Sequence, residues 1–174
     1  MKLSKEEKKF WQRHFRIDKL ENIPKEMTGY TAIDENNDDE FMFYLSRRVT
    51  VIPEIYLKST LITDEGVEHI SKIQQLKELT LRDHSKITKS SIPYFNQMPY
   101  LERLNITLTK ITLCDLCENL NNQNLKEVFV SSEEVEENIL EKGFILKERM
   151  PNCNIYLDTC YTEYTPGNPE KPIF

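Results

Sequence analysis

Three phrases along this chain are near-copies of one another: "STLIT" at 59–63, "HSKIT" at 84–88 and "LTKIT" at 108–112. Each follows a short run in which apolar and polar residues alternate. Aligning those runs places Ile55/Leu57, Leu79/Leu81, Leu104/Ile106, Val128/Val130 and Ile155/Leu157 in register, at steps of 24, 25, 24 and 27 residues. A period of that length constrains the fold strongly, because each copy is too small to bury its own apolar side and must stack on the next. Five units are implied.

Leu76, Leu101 and Leu125 stand three residues before the first member of their pairs, giving "LKELTL", "LERLNI" and "LKEVFV". After the strands, Ile62, Ile87, Ile111 and Val135 recur at steps of 25, 24 and 24, three of them inside a [ST]-x-I-T phrase. The hydroxyl residue there is expected to turn the chain off the strand by bonding nearby backbone. The second half of each unit changes period. Val67, Ile70 and Ile73, then Ile92, Phe95 and Met98, then Leu116 and Leu120, recur at helical spacing. A helix is expected over 64–73, with the acids of "TDEGV" in its first turn, where the helix dipole favours them. The predicted fold class is therefore α/β: a parallel sheet on one side of a solenoid and short helices on the other.

The L-x-x-L-x-L spacing is that of a leucine-rich repeat. "LKSTLITDEGV" (57–67) and "MPNCNIYLD" (150–158) resemble bacterial leucine-rich repeats of the cysteine-containing type over about residues 52–158. The second unit departs at Ser85 and Pro93, and the fourth, "VSSEEVEENILEKGFILKERM", is acidic and loses the threonine. The resemblance implies protein binding by the sheet face and carries no shared catalytic residue.

Residues 1–50 lie outside this pattern and read as an N-terminal α+β capping segment, 51–158 as the repeats, and 159–174 as an extended C-terminal tail holding three of the eight prolines. "SKEEKKFWQRHF" offers Ser4 as an N-cap and Phe10, Trp11 and Phe15 as an apolar helix face. A strand around Tyr30, Ala32 and Ile33, a break at "DENNDD", and a short helix or strand through Phe41–Leu45 lead into the first repeat.

Charge narrows the partners. Lys and Arg number 23 against 29 Asp and Glu, net −6, which disfavours general affinity for nucleic acid or an anionic membrane. The start "MKLSKEEKKFWQRHF" has no apolar signal core, and four cysteines at 114, 117, 153 and 160 are unevenly spaced for a disulfide framework, so a reducing cytoplasm is expected. Cys114 and Cys117 form a C-x-x-C, but as helix positions of one repeat they do not need to be cysteine, and no zinc or other cofactor is expected. His14, His69 and His84 fall on unrelated segments without a nucleophile and acid arranged around them. "DENNDD" lacks the order and distal Glu of a calcium loop and reads as a solvated turn. With only four glycines, a phosphate-cradling loop is disfavoured as well. No catalytic residue is assigned.

Binding remains. Side chains alternate along a strand, so the partners of the inward leucines face the open sheet. One outward row is Tyr56, Thr80, Asn105, Phe129 and Tyr156; a second is Lys58, Arg82, Thr107, Ser131 and Asp158; a third is Glu54, Glu78, Arg103, Glu127 and Asn154. The first two rows are the candidate protein-binding residues, with Phe129 and Tyr156 as apolar anchors unless the tail or the cap covers them. The expected function is a non-enzymatic module that captures one protein partner. Its sharper form is an immunity or inhibitor protein neutralising a toxin or effector. The rival readings are an adaptor recruiting a second protein through its N-terminal segment, and a cysteine-based metal or redox protein.

Overall fold

The structure, a computed structural model, describes residues 3–131, 139–157 and 172. Among these residues the order is α1 (Lys5–Phe15), β1 (Tyr30–Ile33), α2 (Asp39–Ser46), β2 (Glu54–Lys58), α3 (Asp64–Ile70), β3 (Glu78–Arg82), α4 (Ile92–Asn96), β4 (Arg103–Asn105), α5 (Leu113–Asn119), β5 (Glu127–Val130), α6 (Ile139–Arg149) and β6 (Asn154–Leu157). The strands form one six-stranded sheet in chain order, with every neighbouring pair parallel. Parallel neighbours cannot be joined by a hairpin, and here each crossover carries a helix. This is an α/β fold.

The register follows the apolar pattern. Ile55 pairs with Leu79, Leu79 with Leu104, Leu104 with Val128, and Val128 with Ile155. All five are buried, and they join Val67, Ile70, Phe95, Leu116 and Leu146 from the helices in a single core. The sheet also begins earlier than the repeat phrases suggest. β1 pairs with β2, Tyr30 with Ile55 and Ala32 with Leu57, so "YTAI" occupies the place of one more strand although its apolar residues are not leucines. α1 closes this end: Trp11 is fully buried, and Glu7 and Arg48 form a shielded ion pair at 2.5 Å.

Two local devices replace what sequence pattern alone suggests. The first is at the helix starts. Asp39 takes the backbone N–H of Thr63 at 2.8 Å and its hydroxyl at 2.6 Å, one unit ahead. Asp64 repeats this on Thr88 at 2.8 and 2.7 Å and also accepts from Ser91 Oγ at 2.5 Å. Where the next equivalent residue is Lys89, no such carboxylate exists. Thr112 instead closes a capping box with its own Asp115, at 3.1 Å to the Asp115 N–H. The second device is the turn after each of β1 to β4. Asp34, Ser59, Asp83 and Leu108 hold φ of 54°, 51°, 61° and 58°, a left-handed conformation repeated every 24 or 25 residues without one glycine.

The helix expected over 64–73 ends at Ile70. The backbone tightens there, with the N–H groups of Lys72 and Ile73 donating to His69 and Ile70, which still leaves Ile73 in the core. The segment through Phe41–Leu45 is helical, capped by the Asp38 side chain on the Phe41 N–H at 3.0 Å. Val135, Asp158 and the tail apart from Pro172 lie outside the described residues.

Candidate functional site

The outward-facing side of the sheet divides in two. At the β4–β6 end, Asn105, Thr107, Phe129 and Tyr156 were expected on an open surface, and all four are buried, with Phe129 only 4% and Tyr156 9% exposed. Their alternation is as expected, since Phe129 pairs with Tyr156 in register while Val128 and Val130 fill the core. Exposure differs because the two rings stack face to face, centroids 4.5 Å apart and planes 9° apart, each removing the other's flat side from water. Asn105 and Thr107 satisfy one another. The Asn105 carboxamide oxygen accepts from the Thr107 N–H at 3.1 Å and its hydroxyl at 2.8 Å, which bends the chain and ends β4 after three residues. Ser131 is half-buried, its Oγ accepting from the Leu108 N–H at 2.7 Å. These side chains are therefore engaged in holding the fold. Asp158 is outside the described residues.

The β2–β3 portion is different. Tyr56, Lys58, Thr80 and Arg82 are half-buried, alternating with fully buried Ile55, Leu57, Leu79 and Leu81. Lys58 lies directly opposite Arg82 in the register, and Glu54 directly opposite Glu78. Among the described residues neither Lys58 nor Arg82 has an ion-pair partner, and the Nε of Arg82 is shielded without an acceptor. Next along the sheet, Arg103 bridges Glu78 at 2.8 Å and Glu127 at 2.6 Å. The repeat alignment places Glu78, Arg103 and Glu127 next to one another in one outward row, 25 and 24 residues apart, and the structure adds the ion pairs between them.

The remaining chemical candidates fall into structural roles. Cys117 is buried with its Sγ 2.7 Å from the Lys142 carbonyl. Cys153 is buried, and desolvation pushes its thiol up to about 12, far from the thiolate that metal binding or nucleophilic attack requires. Cys114 is half-buried beside Glu118, and Cys160 lies outside the described residues. Among the described residues no group of three or more His, Cys, Asp or Glu side chains is placed to hold a metal ion.

His84 is buried in the turn after β3. Its Nε2 accepts from the Thr60 N–H at 3.2 Å and lies 2.8 Å from the Thr60 hydroxyl. Burial holds its pKa below the ordinary histidine value. His69 and His14 are lowered for the same reason, desolvation, which outweighs the acids near them. In "DENNDD" the Asn37 amide donates to the Tyr30 hydroxyl, Asp38 caps α2 and Asp39 holds Thr63. That stretch also borders an open cleft of about 450 Å³ together with Phe10, Arg13 and His14 of α1. Arg13 and His14 are matched there by Asp34, Glu35, Asp38 and Glu40, so the cleft is acidic on balance.

No protein-family model and no curated protein sequence matches the chain. Among the described residues no helix is long and apolar enough to cross a membrane.

Proposed function

We propose that the chain is a non-enzymatic binding module of the leucine-rich-repeat kind, capturing one protein partner on the β2–β3 part of its sheet face. The observation that carries this reading is the set Tyr56, Lys58, Thr80 and Arg82: half-buried, on paired strands, and with two charges that meet no ion-pair partner among the described residues. A site built on paired strands presents its side chains with little entropic cost on binding. The aromatic anchor on this portion is Tyr56, replacing the Phe129–Tyr156 stack, whose faces are already occupied. Burial of Trp11 and the Glu7–Arg48 pair support a capping role for the N-terminal segment over that of an independent recruiting arm. The sharper form, an immunity or inhibitor protein for a toxin or effector, draws on the net charge of −6.

The test is affinity capture from native lysate with the wild-type chain and with Tyr56→Asp, followed by titration of the recovered partner. Tyr56→Asp should weaken binding by more than about 2 kcal/mol, as expected of a central aromatic anchor, with little change in melting temperature. Unchanged affinity would move the interface to another surface. For the inhibitor form, co-expression of the recovered partner should arrest growth only when this chain is absent or carries Tyr56→Asp.

A further inference from the structure

Like charges placed directly opposite one another on neighbouring strands destabilise a sheet, whereas opposite charges there stabilise it. β2 and β3 carry two such like-charged pairs of opposite sign, Glu54 facing Glu78 at one end and Lys58 facing Arg82 at the other, on the same side of the sheet. Exchanging Lys58 for Glu alone would turn a repulsive pair into an attractive one. The acidic end is partly relieved, since Arg103 reaches Glu78, but that single guanidinium is shared with Glu127, and Glu54 has no ion-pair partner among the described residues. At the basic end no ion pair forms among the described residues: neither Lys58 nor Arg82 has such a partner there, and the shielded Arg82 Nε has no acceptor. Between the two ends lie Tyr56 and Thr80, half-buried and also opposite one another.

The patch is two strands wide, about 5 Å between them, and its charged ends are four residues apart, about 13 Å. Those dimensions suit one extended chain lying along the strands better than a broad globular surface. In an extended segment, residues four apart point to the same side, and the residue midway between them does too.

We infer, resting on the sheet-face reading above, that the partner presents an extended segment to β2–β3 carrying a carboxylate and a cationic side chain four residues apart. The carboxylate lies over Lys58 and Arg82, the cation over Glu54 and Glu78, and the middle side chain packs on Tyr56. Each end of the segment neutralises a pair of like charges that the fold leaves opposed, so binding removes two internal repulsions while forming two attractive contacts. The order of charges is a selectivity device as well: a segment with two acids or two bases meets repulsion at one end.

Three end-blocked pentapeptides test this on the full chain: Asp-Thr-Val-Thr-Lys, Asp-Thr-Val-Thr-Asp and Lys-Thr-Val-Thr-Lys, titrated by amide chemical-shift perturbation at low ionic strength. The mixed-charge peptide should perturb residues 54–58 and 78–82 and bind about 10-fold more tightly than either other peptide, a preference that fades at ~0.5 M salt. In Lys58→Glu/Arg82→Glu the preference should switch to the Lys/Lys peptide, and in Glu54→Lys/Glu78→Lys to the Asp/Asp peptide. Equal affinity for all three peptides, or preferences that stay put in the two double variants, would overturn the inference. If Tyr56→Asp nevertheless abolished capture of the lysate partner, the sheet-face reading would survive without it. Sedimentation of the chain alone serves as the remaining arm. Concentration-dependent self-association lost in both double variants and restored on mixing them would assign the patch to a second copy and likewise overturn the inference.

Discussion

Gly66→Ala sets two physical effects against each other, and the structure decides which wins. Gly66 is the third residue of α3, where alanine is better than glycine by about 1 kcal/mol on helix propensity alone. Gly66 is buried, however, against the turn that precedes its own helix and the start of α2. A Cβ built there falls 2.7 Å from Ile62 Cγ2 and collides with the Asp39 carboxylate. Ile62 is 1% exposed and cannot swing out to water. Asp39 can move only by releasing the N–H and hydroxyl of Thr63, which it holds at 2.8 and 2.6 Å. Overpacking of this kind costs about 1–3 kcal/mol, and hydrogen bonds to a charged group contribute about 1.5–3 kcal/mol each. Losing one such bond in addition to the strain exceeds the propensity gain, so the net expectation is a destabilisation of about 2–4 kcal/mol. Urea unfolding followed by circular dichroism measures it. The same substitution in an Asp39→Ala background should cost at least about 1 kcal/mol less, because one of the two clashing groups is gone and its bonds are already lost. A stabilised Gly66→Ala variant, or strict additivity in the cycle, would refute the close packing of α3 on Asp39.

Alongside His14 and His69, a pH dependence follows from His84. Its folded-state pKa is depressed below the unfolded value, so its stabilisation is present above about pH 6.5 and is lost as pH falls toward the folded value. The melting temperature should drop on acidification through that window, and His84→Gln should flatten the profile; an unaltered profile would relocate the effect to other groups. Removing Arg48 strands Glu7, whose side chain is 2% exposed, and Arg48→Ala should cost about 3–5 kcal/mol by chemical denaturation. Leu108 stands in the left-handed turn with φ of 58° and is 52% exposed, so Leu108→Gly should be stabilising or neutral, by up to about 1 kcal/mol, in a thermal melt, whereas Leu108→Val should be clearly worse. Phe129→Asp, at a position 4% exposed, should unfold or strongly destabilise the protein by circular dichroism rather than leave a folded, non-binding variant.

The strand register was legible because it depends on a period of two within a period of about 24, both written directly in the apolar residues. Ile55, Leu79, Leu104, Val128 and Ile155 required nothing else to be aligned. β1 was harder to place in the same sheet, because Tyr30 and Ala32 fill the inward positions without resembling the leucines beside them. Alternation also tells which side of a sheet Phe129 faces but not whether that side is covered, and there the sequence reading assigned open aromatics where the structure has a buried stack. The carboxylate of Asp64 was read as a favourable charge at a helix start, and Asp39 as part of a solvated turn. Their stronger role, gripping Thr63 and Thr88, arises only when one unit lies against the next, and no local pattern contains it. The opposed like charges of β2 and β3 were already neighbours in the outward rows, Lys58 beside Arg82 and Glu54 beside Glu78; what alignment did not supply is that Lys58, Arg82 and Glu54 form no ion pair among the described residues.

The Asp39–Thr63 and Asp64–Thr88 contacts have a consequence for how such a chain can change its length. Each contact reaches one unit forward and no further, and its donor and acceptor recur at the same offset of 24 residues. Cutting out the stretch from Asp64 to Thr88 removes an acceptor together with the Thr88 N–H and hydroxyl it serves, costs Ser91 its acceptor, and leaves Asp39 holding Thr63 as before. These two joints therefore overlap the way tiles do on a roof: a course of matching length can be taken out or laid in there, whereas a cut of another length lifts the tile it supports.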